Sequence, residues 1–354
     1  MLQVIKRKLA PVYEQFFSFW PNGWSPFPIN VVFEILYGCN LNCTFCYLRQ
    51  EEVVKKITRR KQLLTLEILK VIDQVPAQTA LSFTGGEPLI HKDILTIVAY
   101  AKKKHRVGMI SNLTAATKEQ IKALISFDLD TLMFSLDGPT AAIHDQGRGK
   151  GSFKKTLHSL KLIQLEKQQQ NKPTPTITMN SLILPQNYPL LDQTVKLAKD
   201  LKVDWLNFQL LDPSLDRSGY DLHPNLRHLK IDYCQKLLKL PKTKLAKSLQ
   251  LAMITAEKLG VRLSFSPSLS LPEVVDYYSG KVDLSRLYCN KIFHLARISP
   301  FGDVYPCFNL KIGSVLDTPF MKLWNNSVYR RFRQQIKAGK FRTQCVGCCH
   351  LRLK

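Results

Sequence analysis

From residue 29 to about residue 210 the chain alternates short runs rich in β-branched and aromatic residues with longer amphipathic runs. No other feature restricts the fold as strongly. A strand that returns through a helix pairs in parallel with its predecessor, and the crossover is right-handed. The strand-like runs are Asn30–Leu36, Thr79–Thr84, Val107–Ser111, Thr131–Ser135, Thr176–Ile183 and Trp205–Leu210. Between them Thr65 reads as the N-cap of a helix with apolar Leu66, Ile68, Leu69, Val71 and Ile72. A further helix is expected near Lys92–Lys104, and Ser152 is expected to cap the helix that follows Phe153. Six such units predict an α/β fold, a partial (β/α)6 barrel rather than the complete eight-fold one. The loops at the C-terminal ends of the strands then share one mouth, where chemistry belongs.

The 354 residues divide on composition into four parts: an extension over 1–28, the barrel core over 29–221, a basic helical connector over 222–285, and a small cysteine-rich domain over 286–354. No apolar stretch approaches the roughly 20 residues of a membrane span. Lys6, Arg7 and Lys8 are not followed by an uninterrupted apolar segment, which makes a poor secretory signal. Nine cysteines, nearly all in two local groups, then point to metal binding in a reducing compartment, and so to the cytoplasm. Cys234 stands apart and reads as a buried thiol. Val4, Leu9, Val12, Phe16, Phe17, Phe19 and Trp20 beside the three basic residues also suit peripheral contact with a membrane interface. The net charge of +24 favours an anionic substrate or partner. That charge is dispersed (Lys102–Lys104, Lys236 to Lys247, Arg330 to Arg342), and no RNA- or DNA-binding motif accompanies it, so nucleic acid is not the expected partner.

The chemistry-bearing motifs each follow a strand. After the first comes Cys39-Asn40-Leu41-Asn42-Cys43-Thr44-Phe45-Cys46. Three thiolates on one loop can hold three corners of a cubic iron–sulfur cluster and leave the fourth iron open, the mark of a catalytic site. Zinc is the alternative, but it takes four ligands, and no histidine occurs between residues 30 and 60. After the second strand comes Thr84-Gly85-Gly86-Glu87-Pro88, whose glycines permit close backbone approach. Ser111-Asn112 ends the third strand; Ser135-Leu136-Asp137-Gly138-Pro139 ends the fourth and is followed by His144-Asp145 and Arg148-Gly149.

The spacing C-x3-C-x2-C with an aromatic before the last cysteine, followed in order by these motifs, resembles the radical S-adenosylmethionine (SAM) enzymes. The resemblance implies a [4Fe–4S] cluster on Cys39, Cys43 and Cys46 whose open iron binds SAM. It further implies that Gly85, Gly86, Glu87 and Pro88 serve the SAM amino group, and Ser111 and Asn112 the ribose or methionine part. Leu113 stands where the family commonly has glycine. Ser135 and Asp137 match the family's Ser-Leu-Asp-Gly turn, and Arg148 is implied to pair with the SAM carboxylate, a geometry that suits a guanidinium fork. Asp137 and His144 read equally well as turn-forming and surface residues. Phe45 and Ile183 are candidate adenine contacts. An external one-electron reductant such as flavodoxin or ferredoxin is implied as a partner.

Towards the C-terminus stand Cys289, Cys307, Cys345, Cys348 and Cys349, with a hairpin expected to turn at Phe301-Gly302-Asp303. Residues 286–352 resemble the SPASM module appended to many radical SAM enzymes. With so few cysteines the resemblance implies one auxiliary [4Fe–4S] cluster on Cys289, Cys307, Cys345 and Cys348, with Cys349 spare or in place of Cys348. Tetrahedral zinc is the alternative occupant. The expected activity is reductive cleavage of SAM to a 5′-deoxyadenosyl radical that abstracts hydrogen from a peptide or protein. The alternatives are a radical SAM enzyme for a lipid, sugar or other small molecule at a membrane surface, and a non-catalytic metal-bearing adaptor for acidic partners.

Overall fold

A computed structural model describes residues 16, 19–49, 54, 59–211, 238–307, 310–341, 345 and 348–354. Cys234, and residues 1–15, 17 and 18 of the 1–28 extension, lie outside the described residues. In chain order the core elements are β1 (Asn30–Leu36), α1 (Thr65–Asp73), β2 (Ala80–Gly85), α2 (Ile94–Lys102), β3 (Val107–Ser111), α3 (Lys118–Ser126) and β4 (Thr131–Ser135). They continue with α4 (Ala141–Arg148), α5 (Ser152–Gln169), β5 (Thr176–Ile183), α6 (Leu191–Asp200) and β6 (Trp205–Leu210). The strands β1 to β6 pair in parallel in sequential order, the partial (β/α)6 arrangement that the alternation predicts.

The helices lie on the outer face because each carries apolar residues at a three-to-four spacing. Ile68, Val71 and Ile72 of α1, Ile94, Ile97 and Val98 of α2, and Ile121, Leu124 and Ile125 of α3 are buried in one core with Phe83, Phe134 and Phe208 of the strands. Two helix starts differ from the reading of the sequence. Thr65 is the first helical residue, not the cap, and its hydroxyl donates to Asp93 at 2.6 Å. The start of α5 is capped by Asp145, whose carboxylate accepts from the Gly151 and Phe153 amides at 2.7 and 2.8 Å and from the Ser152 hydroxyl at 3.0 Å. A carboxylate takes several orphan N–H groups at once, which one serine hydroxyl cannot.

The expected connector is more than helical. Its described part forms α7 (Lys242–Leu259), which packs on α6, then β7 (Leu263–Ser266), which adds a seventh parallel strand beside β6, and α8 (Leu271–Tyr277). The alternation of α7 with β7 is another strand–helix unit, obscured in sequence because β7 spans four residues and reads Leu-Ser-Phe-Ser.

The cysteine-rich segment contributes β8 (Leu287–Tyr288), β9 (Leu295–Ile298), β10 (Asp303–Tyr305), β11 (Gly313–Ser314), α9 (Phe320–Trp324), α10 (Ser327–Lys337) and β12 (Arg352–Leu353). It is not separate from the barrel sheet. β9 pairs in parallel with the free edge of β1, Val32 opposite Arg297, and β10 and β11 follow as antiparallel neighbours. The β9–β10 hairpin turns at Gly302 (φ +81°), close to the expected position. The described end of the 1–28 segment docks on this C-terminal region. Ser25 Oγ donates to the Phe293 carbonyl at 2.5 Å, and the Ser25 carbonyl accepts from Trp324 and Asn325. The fully buried Arg333 donates to the Gly23 carbonyl at 3.1 Å.

Candidate functional site

The cysteine loop leaves the C-terminal end of β1 and is held from three directions. From β2, the Gly86 amide donates to the Leu36 carbonyl at 2.7 Å and the Glu87 amide to the Gly38 carbonyl at 3.0 Å. A Cβ on Gly86 would lie 1.9 Å from the Gly38 oxygen, and one on Gly85 (φ +133°) 2.2 Å from the Leu36 oxygen. The glycines are therefore required for one loop to lie on another, and the backbone they approach is the chain's own. From α4, the Gly147 carbonyl accepts from the Thr44 amide at 2.9 Å, and Gly147 leaves room for the Phe45 ring. Within the loop, Arg49 donates to the Cys39 carbonyl at 3.3 Å and to the Leu41 carbonyl.

Cys39, Cys43 and Cys46 are free thiols, partly exposed at the barrel mouth. Burial pushes the Cys39 and Cys43 thiols up, while the Arg148 guanidinium draws Cys43 back. Two donors face the Cys39 sulfur: the Leu41 amide at 3.4 Å and Asn112 Nδ2 at 3.8 Å. Among the described residues no three Cys, His, Asp or Glu side chains converge on a point where one ion would sit. The donor set, three thiols with N–H groups and a cation around them, fits a cluster carrying negative charge.

Glu87 follows the Gly85-Gly86 turn at the end of β2, close to Cys39. It is fully buried, and its carboxylate accepts from the Leu89 amide (3.0 Å), the Ser111 hydroxyl (2.8 Å) and the Asn112 amide (2.7 Å). Its acceptors are spent on tying the β2 loop to the β3 loop. Burial raises its carboxyl pKa, opposed by those three bonds. Pro88 starts the short turn that follows and is buried. Ser111 likewise serves Glu87, while Asn112 reaches the cysteine loop, with Nδ2 3.1 Å from Asn40 Oδ1. Leu113 keeps a left-handed backbone (φ +61°), the conformation glycine takes freely, and its side chain is buried. Holding that conformation without glycine costs about 1 kcal/mol.

Asp137 and His144 are interior residues, which sets aside the surface reading. Asp137 Oδ1 accepts from the Leu182 amide at 2.9 Å, and Oδ2 takes Arg148 Nε. The Asp137 amide donates to His144 Nδ1 at 2.9 Å, and Asn187, which the sequence did not single out, donates to the Asp137 carbonyl at 2.6 Å. Burial lowers the His144 pKa to about 4, so the ring is neutral. Arg148 lies with its guanidinium carbon 5.3 Å from the centre of the Phe45 ring, beside Cys43 and Cys46. Arg148, Phe45 and the cysteines thus share one corner of the mouth. Ser135 ends β4 on the inner face, half-buried. Ile183 does not join them: it is fully buried in the hydrophobic core under the helices, so it is not an accessible adenine contact. Alternation along β5 put it on the outer face.

The inner face of the barrel is polar and mostly neutral. Asn207 donates to Asn180 at 2.6 Å, Asn180 to Gln209 at 3.0 Å, and Ser264 and Ser266 donate to Asn207 Oδ1 at 3.0 and 3.1 Å. A buried pair, Glu34 with Arg297 at 3.3 Å, links β1 to β9, and Tyr37 donates to Glu34 at 2.7 Å.

The second cysteine group is deeper. Cys289, Cys307 and Cys345 pack against the main hydrophobic core, and burial pushes Cys289 up to about 11. Cys307 and Cys348 both neighbour Cys289, and the Cys348 thiol hydrogen-bonds to Cys349. The Cys348 amide donates to the Cys345 carbonyl at 3.1 Å, so the last cysteines form one turn. The hydrogen bond from Cys348 draws the Cys349 pKa down against burial, with His350 and Arg297 adding to it.

A family profile for the Radical SAM superfamily matches residues 33–198, and one for the SPASM iron–sulfur cluster-binding domain matches residues 289–349. The chain belongs to the radical SAM superfamily. It is a radical SAM enzyme with a SPASM domain, and with that go a [4Fe–4S] cluster, SAM and auxiliary iron–sulfur. It is similar to the AdoMet-dependent heme synthase of Methanosarcina barkeri, 24% identical over 340 residues and 91% of both chains. It is similar as well to the mycofactocin maturase MftC of Mycolicibacterium smegmatis, 25% identical over 335 residues, 91% of this chain and 76% of that one. Streptococcus suis SuiB bound to its precursor peptide SuiA has the same fold, with a TM-score of 0.64 at 16% identity, over 98% of this chain and 74% of that one. Among the described residues no helix is long and apolar enough to cross a membrane.

Proposed function

We propose that the enzyme modifies a peptide or protein, with Cys39, Cys43 and Cys46 as the ligands of the SAM-binding cluster. When bound, the cluster and SAM supply a 5′-deoxyadenosyl radical able to take hydrogen from an unactivated C–H bond. The chain's own part is to present, orient and exclude water. Arg148, held by Asp137 and lying over Phe45, is the cation available to a carboxylate at the mouth. Asn112 and Arg49 fix the loop that carries Cys39. One auxiliary [4Fe–4S] cluster on Cys289, Cys307, Cys345 and either Cys348 or Cys349 completes the reading.

The observation that carries the substrate class is the amide ladder of Asn180, Asn207 and Gln209 on the inner face of β5 and β6. Side-chain amides recognise peptide groups, since each offers the same donor and acceptor pair. The ion pair in this lumen is already internally matched, so the charged surface and the neutral interior serve different partners. The net charge of +24 suits an acidic one-electron reductant such as flavodoxin or ferredoxin, or an acidic region of the substrate.

The test uses the anaerobically reconstituted full chain with dithionite, SAM and deuterium-labelled cell extract separated into peptide and small-molecule fractions. Deuterium should appear in 5′-deoxyadenosine with the peptide fraction. Transfer from the small-molecule fraction alone, or formation of heme, overturns the peptide reading.

A further inference from the structure

The C-terminal hairpin reaches the cysteine loop of the barrel through Phe301. Phe301, in the turn between β9 and β10, forms a small buried cluster with Tyr37 and Leu48, and Cys46 and Tyr47 pack against it. The Phe301 and Tyr37 rings meet edge-to-face at 5.6 Å. This cluster is separate from the main core. Its members come from two segments more than 250 residues apart, on either side of the Cys46 turn.

The hairpin tip is fixed independently of that contact. The Ser299 hydroxyl accepts from the Phe301 and Asp303 amides at 3.3 and 3.2 Å, and the Pro300 carbonyl accepts from the Leu63 amide at 2.7 Å. Arg60 covers the outer face of the Phe301 ring at 4.2 Å and pairs with the buried Asp303 at 2.6 Å; Lys311 takes the other Asp303 oxygen at 2.7 Å. A buried carboxylate with two cations is an anchor whose geometry is sharply defined. The β9–β1 pairing itself runs over Leu295–Ile298, ahead of the turn. The effect of the anchor is to press one aromatic ring on the turn that ends in Cys46.

We propose that Phe301 is a positioning residue for the three-cysteine site: delivered by the SPASM hairpin and clamped by Arg60 and Asp303, it sets the Cys46–Leu48 turn and shields Cys46 from water. The C-terminal region thereby controls the environment of the barrel's own cluster, apart from anything its own cysteines bind. The inference rests on the reading of Cys39, Cys43 and Cys46 as cluster ligands only for its consequence on potential. An apolar cover disfavours the more highly charged reduced cluster, so removing it should move the reduction potential to less negative values.

The experiment compares wild type, Phe301→Ala, Phe301→Leu, Arg60→Gln and, as a core truncation elsewhere, Leu249→Ala. The metal-free, reduced full chain is pulsed with iodoacetamide and each cysteine is followed by peptide mass spectrometry. Labelling of Cys46 relative to Cys43 should rise roughly fivefold in Phe301→Ala, rise less in Arg60→Gln, and return to within about twofold of wild type in Phe301→Leu. Leu249→Ala should leave the ratio unchanged. The reconstituted Phe301→Ala protein should show the shift in potential by redox titration of its electron paramagnetic resonance signal. A wild-type Cys46 ratio in both Phe301→Ala and Arg60→Gln overturns the proposal, and so does an equal rise in Leu249→Ala. Should Phe301→Ala not fold, Arg60→Gln against Leu249→Ala decides by the same ratio. The labelling result is independent of whether the protein cleaves SAM, which a separate 5′-deoxyadenosine assay reads.

Discussion

Cys39, Cys43 and Cys46 stand on one short loop at the barrel mouth, whereas Cys289, Cys307 and the Cys345–Cys348 turn come from three points of the C-terminal region, with Cys289, Cys307 and Cys345 packed on the main core; all seven are partly exposed. The first group is local: its spacing in sequence is already its geometry, and the surrounding loops only brace it. The second is assembled by the fold. A loop site at the barrel mouth, next to a cation and neutral amides, suits exchange of a ligand such as SAM. One with four thiols gathered from several elements against the core suits a group that stays in place and holds those elements together. Four experiments would break or sharpen that contrast.

The largest effect is expected from replacing all of Cys39, Cys43 and Cys46 by alanine. Formation of 5′-deoxyadenosine under dithionite should fall at least about 10³-fold, with little loss of thermal stability because the loop is partly exposed. Retained cleavage would remove the triad from the site. Cys348→Ala and Cys349→Ala come next. The one that ligates should lower iron from about eight to about four per chain, spare SAM cleavage and abolish the modified product. Equal iron in both variants would set aside this cluster assignment. Gly86→Ala acts on the brace alone: with 1.9 Å available between the new Cβ and the Gly38 oxygen, it should cost about 3 kcal/mol of stability in denaturant and impair cluster loading.

The smallest effect is a pH dependence carried by His144. Its folded pKa of about 4 lies below the ordinary value of 6.5, so between the two the unfolded chain binds the extra proton. Stability should therefore be level above about pH 6.5 and fall by up to about 3 kcal/mol as pH drops towards 4. His144→Gln should flatten that limb of the stability profile; an unchanged slope would show that another group carries it.

Five of the six strand-like runs coincide with β1 and β3 to β6 residue for residue, because a buried parallel strand needs β-branched and aromatic residues without interruption. β7 was missed for the converse reason: its serines face the polar lumen and break the apolar run. Within the site, the cysteines, Asn112, Phe45 and Arg148 were legible as a set from their motifs. Glu87 and Ser111 were legible as motif members, but not in role, since only the fold shows that they bond to one another. Asp145 as the cap of α5, Asn187 behind Asp137, and the Phe301–Arg60–Asp303 clamp carry no local signal. Asn187 and the clamp gain their meaning from residues distant in sequence, and Asp145 from groups six to eight residues on, beyond the turn that separates α4 from α5.

By itself the sequence determined the barrel class, the three-cysteine loop after the first strand and the existence of a second cysteine group. Periodicity and close spacing are local properties, and local geometry follows from them. The tertiary structure alone decided that the C-terminal region continues the barrel sheet through β9 and that its hairpin presses Phe301 on the Cys46 turn. Both depend on edge pairing and side-chain packing between segments hundreds of residues apart. Which segments meet is set by burial of the whole chain's apolar surface, and no single stretch of the sequence records it.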